Sequence, residues 1–273
     1  ARLGITQGVL GRPVVPGTGR VLYLACDRPR QIARAMRRLF TEEHREILAE
    51  RLVIWEGPPP YDFAKNTDLL VQMCQEAGAD SVIVDSLKDV AIGLSDDAVG
   101  AAYNRARQKA ITAGVEVIEL HHQKKTGANG AAPNTLADVY GSTWITAGAG
   151  SVLLLEGKAG DPIVKLKHLK QPAEEVGPFQ VRHDHGTGIS IVHGAIDLLD
   201  LARRFPHGMS PKAAAMALFD TDAPSSGEIE KARRQLNRFV KDGQMIAKDG
   251  NQPGGGKPPK LYHPVAHRDE TYA

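Results

Sequence analysis

Ser81-Val-Ile-Val-Asp85-Ser86 is a short, mostly apolar run that ends in a carboxylate. Its length and lack of alternation suit a strand buried on both faces, the usual condition of a strand in a parallel sheet. Asp85 then stands at the strand's C-terminal end, where an open α/β sheet binds its ligands. A carboxylate placed there can hold the water shell of a magnesium ion against nucleotide phosphates, with Ser86 beside it. The plainer alternative is that Asp85 only begins a turn, as the last residue of many buried strands does.

Working outward, the same pattern recurs. Val21-Leu-Tyr-Leu-Ala-Cys26 follows the turn residues Pro16-Gly-Thr-Gly19 and is itself followed by Asp27. Asp27 could polarise an attacking water, or could cap the helix that Pro29 opens. Leu52-Val-Ile-Trp55 ends at the breaker Gly57-Pro-Pro-Pro60, and Val115-Glu-Val-Ile-Glu-Leu120 runs into His121-His122-Gln-Lys124-Lys125. An imidazole at that strand end can donate to a terminal phosphate and pass its loss to the next loop. A histidine that only supports the local fold is the competing reading.

Between these runs the spacing predicts helices over 29–40, 66–77 and 99–113. Strands alternating with helices argue for a parallel sheet with crossover helices. Ser151-Val-Leu-Leu-Leu155 and the shorter runs 163–167, 179–182 and 189–192 are expected to add antiparallel strands to it. The Gly, Ala, Asn and Lys content of 123–135 reads as a mobile loop.

Composition sets the limits. The chain has 273 residues, 42% hydrophobic and 24% charged, and its 34 Lys and Arg against 32 Asp and Glu leave a net charge of +2. That is enough apolar content for a real core, and charge alone does not announce nucleic acid, so any DNA contact must be local. Cys26 and Cys74 lack the paired spacing of a zinc site and read as reduced thiols of a cytosolic protein. No apolar run approaches the length of a membrane span. Arg2-Leu-Gly-Ile-Thr-Gln-Gly8, with no Met before Ala1, reads as the interior of a helix.

From about residue 195 the composition changes. Helices are expected at 195–205, 210–219 and 226–242, followed by Met245-Ile-Ala-Lys, a Gly/Pro/Lys loop at 249–260 and Leu261-Tyr-His. Three helices and a hairpin outline a winged helix over 195–273, after a first domain over 1–194. The helix at 226–242 would be the recognition helix, with Lys231, Arg233, Arg234, Arg238 and Lys241 facing DNA, and Gly254-Gly-Gly-Lys257-Pro-Pro-Lys260 would be the wing. Glu228 and Glu230 temper that charge, so a solvated face or a protein-docking role competes.

The series Val21 to Pro29, Val82-Ile-Val-Asp85-Ser86, His121-His122-Gln-Lys124 and Gly141-Ser142-Thr-Trp-Ile-Thr-Ala-Gly148 resembles the RecA-fold ATPases of the RepA-like and DnaB-like hexameric helicase group. It is most similar to the forms carried by phages and mobile elements of actinobacteria. The resemblance implies an α/β fold, a RecA-like mostly parallel sheet flanked by helices, over residues 1 to about 192. It places the water-activating carboxylate on Asp27, the Walker B aspartate on Asp85 and the phosphate sensor on His121 or, in preference, His122. It also implies ATP and Mg2+ as ligands and a homo-oligomeric ring, a hexamer, with active sites between subunits. The loop 123–135, with Lys124 and Lys125, would face single-stranded DNA in the central channel.

Two departures stand out. The Gly-rich phosphate cradle ending in Gly-Lys-Ser/Thr is absent from the 273 residues, and the chain is expected to be truncated just past it. In the family's strand order, the strand feeding that cradle lies between those matched by 115–120 and 151–155, so a gap is expected there. The cationic finger given to a neighbouring subunit falls on His168-Leu-Lys170-Gln-Pro172. Lys170 keeps a cation, but no Arg follows two residues later, and Arg182 is the nearest substitute. The resulting expectation is an ATP-dependent DNA helicase or translocase of DNA replication, inactive as this P-loop-less chain alone. A recombinase or loader ATPase and a non-hydrolysing DNA-binding or assembly module are the rivals.

Overall fold

The computed structural model describes residues 1–124, 135–157, 160–172, 176–194, 196–250 and 258–265. The chain divides into two compact units, Ala1–His193 and Gly194–Ala273.

The first unit opens with a two-stranded hairpin, β1 (Gly8–Val9) and β2 (Arg12–Pro13), where the sequence predicts the interior of a helix. The reason is local. Gly4 and Gly11 take left-handed φ values of +82° and +73°, and a Cβ on Gly8 would lie 1.9 Å from the Arg12 carbonyl oxygen. A helix admits none of these.

β3 (Arg20–Ala25), α1 (Pro29–Leu39), α2 (Arg45–Arg51), β4 (Leu52–Glu56), α3 (Leu69–Ala77), β5 (Ala79–Asp85), the single turn α4 (Leu87–Val90), α5 (Asp97–Thr112) and β6 (Glu116–Leu120) follow. The strands form a parallel sheet in the order β4-β3-β5-β6. One face carries Leu22, Leu24, Val82 and Val84, fully or almost fully buried with Phe63, Leu70, Cys74 and Tyr103 around α3 and α5. Burial of each such aliphatic side chain contributes about 1.5–3 kcal/mol. The boundaries have chemical causes. Gly78 ends α3 in the left-handed region at φ +64°, and Asp96 caps α5 by accepting from the Ala98 and Val99 amides. Small residues let α5 pack closely on α6 (Thr143–Gly148): a Cβ on Gly100 would meet the Ser142 side chain at 2.7 Å.

β7 (Val152–Glu156), β8 (Ile163–Lys170), β9 (Phe179–His183) and β10 (Ser190–His193) are antiparallel as expected but do not pair with the parallel sheet, and the break falls between β6 and β7, where the resemblance implies a gap. They form a separate antiparallel sheet in the order β10-β9-β8-β7. β6 and β7 are therefore both edge strands. A cavity of about 350 Å³ is lined by both, from Glu119 to Gln123 on one side and Ser151 to Leu155 on the other. Leu153 and Leu155 remain 54% and 58% exposed.

The second unit contains α7 (Leu198–Arg203), α8 (Pro211–Phe219), α9 (Ser226–Lys241) and an antiparallel hairpin of β11 (Met245–Asp249) and β12 (Lys260–Pro264). Its own core gathers Leu198, Ala202, Met209, Ala214, Ala215, Ala232, Leu236, Met245 and Tyr262. Ser225 and Glu228 close a capping box on α9. Met209 and Tyr262 exchange backbone hydrogen bonds at 2.9 and 3.0 Å, tying the hairpin to the segment before α8. Among the described residues no helix is long and apolar enough to cross a membrane.

Candidate active site

The register of the parallel sheet decides which side chains meet. Ala25 lies beside Asp85, and Asp85 beside Leu120. Asp27, Asp85-Ser86 and His121-His122 therefore all emerge at the same, C-terminal edge of the sheet. The Asp85 carbonyl accepts the Cys26 and Asp27 amides at 2.8 and 3.2 Å, which joins the two strand ends.

Asp85 itself is held from the neighbouring strand. The Tyr23 hydroxyl donates to its Oδ2 at 2.7 Å. Burial first, and then this bond and the charge of Asp85, raise the Tyr23 phenol well above the ordinary tyrosine value, so it remains a donor. Tyr23 and Asp85 line one end of a second cavity of about 800 Å³, whose apolar wall includes Val21, Ile83, Ile118, Ile32 and Met36. Read from the sequence alone, Tyr23 is one more apolar member of a buried run; the period-2 alternation of β3 puts it on the same face as Asp85, and that is the available clue.

Asp27 does not cap α1. The N-cap position is Arg28, left-handed at φ 51°, and no side chain accepts from the first turn. The Asp27 carboxylate instead faces Arg28 at 3.7 Å and Lys88 at 3.5 Å. Ser86 turns away from Asp85's partners: its hydroxyl donates to Asp89 at 2.6 Å and caps the short α4.

The two histidines are unlike. His121 Nε2 lies 2.6 Å from the Tyr140 carbonyl, to which it donates, and Nδ1 is buried without a partner among the described residues. Burial lowers its pKa; the bond to Tyr140 opposes this and nearby His122 adds to it. His121 is thus a neutral strut. His122 is exposed, with its backbone carbonyl accepting from the Tyr140 amide.

The cations fall less simply. Lys124 folds back to donate to the Ala137 carbonyl at 2.7 Å, while Lys125 and the rest of its loop through residue 134 lie outside the described residues. Lys170 ends β8 and donates to the Thr146 and Ala147 carbonyls at 2.9 and 2.7 Å, satisfying the last turn of α6. Arg182 is exposed on β9. On α9, Arg233 and Arg234 both pair with Glu230, and Lys231 is also engaged. Arg238 is exposed. Of the expected wing, residues 254–257 lie outside the described residues.

A buried network that sequence reasoning missed supports the β6 edge. Arg107 of α5, with its side chain 3% exposed, pairs with Glu119 at 2.8 Å and donates to the Ile145 carbonyl at 3.0 Å. The Tyr103 hydroxyl donates to the other Glu119 oxygen at 2.6 Å. Glu119 reads in the sequence as the polar member of an alternating strand, and nothing local reveals that its partners lie on α5.

Among the described residues, no group of three or more His, Cys, Asp or Glu is arranged to hold a metal. A magnesium ion at Asp85 would have to arrive with a nucleotide, bound through water. The free Oδ1 of Asp85, to which no described residue donates a hydrogen bond, fits that use.

The parallel four-stranded sheet flanked by helices, with polar residues gathered at its C-terminal edge, fits a RecA-like α/β core. Residues 3–128 match the family model described as "AAA domain". A solved structure titled as an ATPase domain is similar over 63% of this chain and 74% of that one, at 14% identity and a TM-score of 0.46. No curated protein matches.

Proposed function

We propose that the chain is the ATPase subunit of a replicative-type DNA helicase or translocase, hydrolysing ATP at interfaces between subunits of a ring and moving on single-stranded DNA. The observation that carries the reading is the pairing of Asp27 and Asp85 on adjacent strand ends, with Tyr23 fixing Asp85. Asp85 would hold the hydrated magnesium ion of MgATP. Asp27 would orient the attacking water once a bound nucleotide draws Lys88 and Arg28 off it, and exposed His122 would answer to the γ-phosphate. Lys170 would be offered to the neighbouring subunit's nucleotide. The open slot between β6 and β7 fits the reading, because the family resemblance puts the strand of the phosphate cradle there. The 273 residues hold no Gly-Lys-Ser/Thr motif, so ATP affinity from them alone is expected to be weak.

For the second unit we propose a winged helix that contacts duplex DNA. The order α7-α8-α9-hairpin and the Met209–Tyr262 bridge support it. The pairing of Arg233 and Arg234 with Glu230 leaves Arg238 and Lys241 as its principal phosphate contacts.

The test is magnesium-dependent ATP hydrolysis by the intact protein. Asp85→Asn should strongly reduce magnesium-dependent hydrolysis while leaving folding intact, and Asp27→Asn should lower kcat far more than it raises KM, because water activation matters in the transition state. Parental rates in both variants would overturn the assignment of Asp27 and Asp85, and no hydrolysis by the intact protein would favour a non-hydrolysing DNA-binding module. DNA-stimulated hydrolysis with strand separation would separate a helicase from a recombinase or loader.

A further inference from the structure

We propose that the outer face of α1 is a binding surface for the phosphate backbone of nucleic acid, carried by residues other than those of the 123–135 segment and α9. The helix reads Pro29-Arg-Gln-Ile-Ala-Arg-Ala-Met-Arg-Arg-Leu39 and contains no carboxylate. Arg30, Arg34 and Arg37 are spaced i, i+4 and i+7, so they form one stripe along about 10 Å of helix axis. All three are exposed, and none makes a hydrogen bond or ion pair with a described residue. Arg38 at the stripe's border donates to the His185 carbonyl at 3.1 Å, and of the carboxylates flanking the helix in sequence Asp27 is engaged with Arg28 and Lys88 and Glu42 with Arg45.

The opposite face of the same helix is apolar. Ile32, Ala35, Met36 and Leu39 line the 800 Å³ cavity over the sheet. That division selects the partner. A protein partner needs apolar or aromatic anchors at the centre of its interface, and the outward face of α1 offers guanidinium groups only. Three cations spread along about 10 Å exceed the reach of a single phosphate and match a polymer of phosphodiesters, whose recognition needs charge and bidentate donors without an apolar core. α9, by contrast, cancels much of its charge internally through Glu230.

The surface does not depend on the ATPase reading, and it is tested without nucleotide. Fluorescence anisotropy of the full chain is measured against a labelled oligo(dT), a duplex of equal length and labelled poly-glutamate, over a range of salt. The triple change Arg30→Gln, Arg34→Gln, Arg37→Gln should weaken binding to one or both oligonucleotides by about tenfold at low salt and reduce the salt slope by about 2 for single strands, the value for three lost phosphate contacts. The triple change to Lys should keep the slope, and circular dichroism should show α1 intact in both. The two oligonucleotide arms tell single strand from duplex. Unchanged affinity and slope in the Gln variant overturn the proposal. So does tight binding of poly-glutamate that the Gln change abolishes while the oligonucleotides are unaffected, which would assign the stripe to an acidic protein.

Discussion

The hydroxyl of Tyr23 donates to Oδ2 of Asp85 across the β3–β5 pair at 2.7 Å. The bond orients the carboxylate through Oδ2, and on the proposed function Oδ1 would take the waters of a magnesium ion. Tyr23→Phe keeps the ring and removes only this donor. Hydrolysis at limiting magnesium should fall about tenfold, equivalent to about 1.4 kcal/mol, near the lower end for a hydrogen bond to a charged group because the pair is only half-buried. A magnesium titration of the ATPase rate checks this, and an unchanged titration would remove Tyr23 from the site.

The same bond makes a prediction in alkali. Tyr23 is raised in the folded state, chiefly by burial and then by Asp85. A raised acid binds its proton more tightly when folded, so its contribution is fully present below the unfolded tyrosine value of about 10 and is lost as pH rises beyond it. Urea denaturation between pH 9 and 11 should therefore show the parent losing stability faster than Tyr23→Phe. Parallel losses would place the alkaline transition elsewhere.

What is legible in the sequence is whatever depends on near neighbours. The apolar runs ending in Asp27, Asp85 and His121 declare the parallel strands, and Gly78, Pro29 and Ser225 declare helix ends. The N-terminal hairpin is not legible, because Arg2 to Gly8 passes for a helix interior until the positive φ of Gly4 and Gly11 is known. The break between β6 and β7 is legible only through the family resemblance, which implies a gap there, since strand pairing is a long-range property. The roles of Tyr23, Glu119, Lys124 and Lys170 are hidden for the same reason: each partner lies at least 13 residues away.

Glu119 joins Arg107 and Tyr103 beneath the β6 edge, with side-chain exposures of 13% for the acid and 3% for Arg107. Removing one member leaves a buried charge without its counterpart, which costs about 3–5 kcal/mol. Glu119→Ala should lower the urea midpoint of the first unit accordingly and leave that of the second unchanged. A loss below about 1 kcal/mol would mean that water reaches Arg107.

Burial first, then Asp89 and Asp85, push the Cys26 thiol up to about 12, and burial pushes Cys74 up to about 11. Thiolate is the reactive form, so both should be inert at neutral pH. Ellman's reagent at about pH 7.5 should react with neither cysteine in the native protein and with both in denaturant. Rapid native labelling of Cys26 would show that the β3 end opens.

Lys170 carries two demands that one substitution can separate. Within the protomer its ammonium satisfies the Thr146 and Ala147 carbonyls at the end of α6. Such charge-assisted capping stabilises by about 1 kcal/mol. As a cation offered to a neighbouring nucleotide it would have to leave those carbonyls, and its effect would appear only in the assembled protein. Lys170→Ala should therefore lower the stability of dilute protomers by about 1 kcal/mol. In the assembled protein it should also cut kcat by at least about tenfold, with KM for ATP little changed. Mixing Lys170→Ala with Asp85→Asn subunits discriminates further. An interface that joins the intact Asp85 of one subunit to the intact Lys170 of its neighbour should recover part of the lost turnover. Loss of stability alone, with parental turnover and no recovery on mixing, would leave Lys170 as the cap of α6 and require the cation to come from another residue, with exposed Arg182 the first to test.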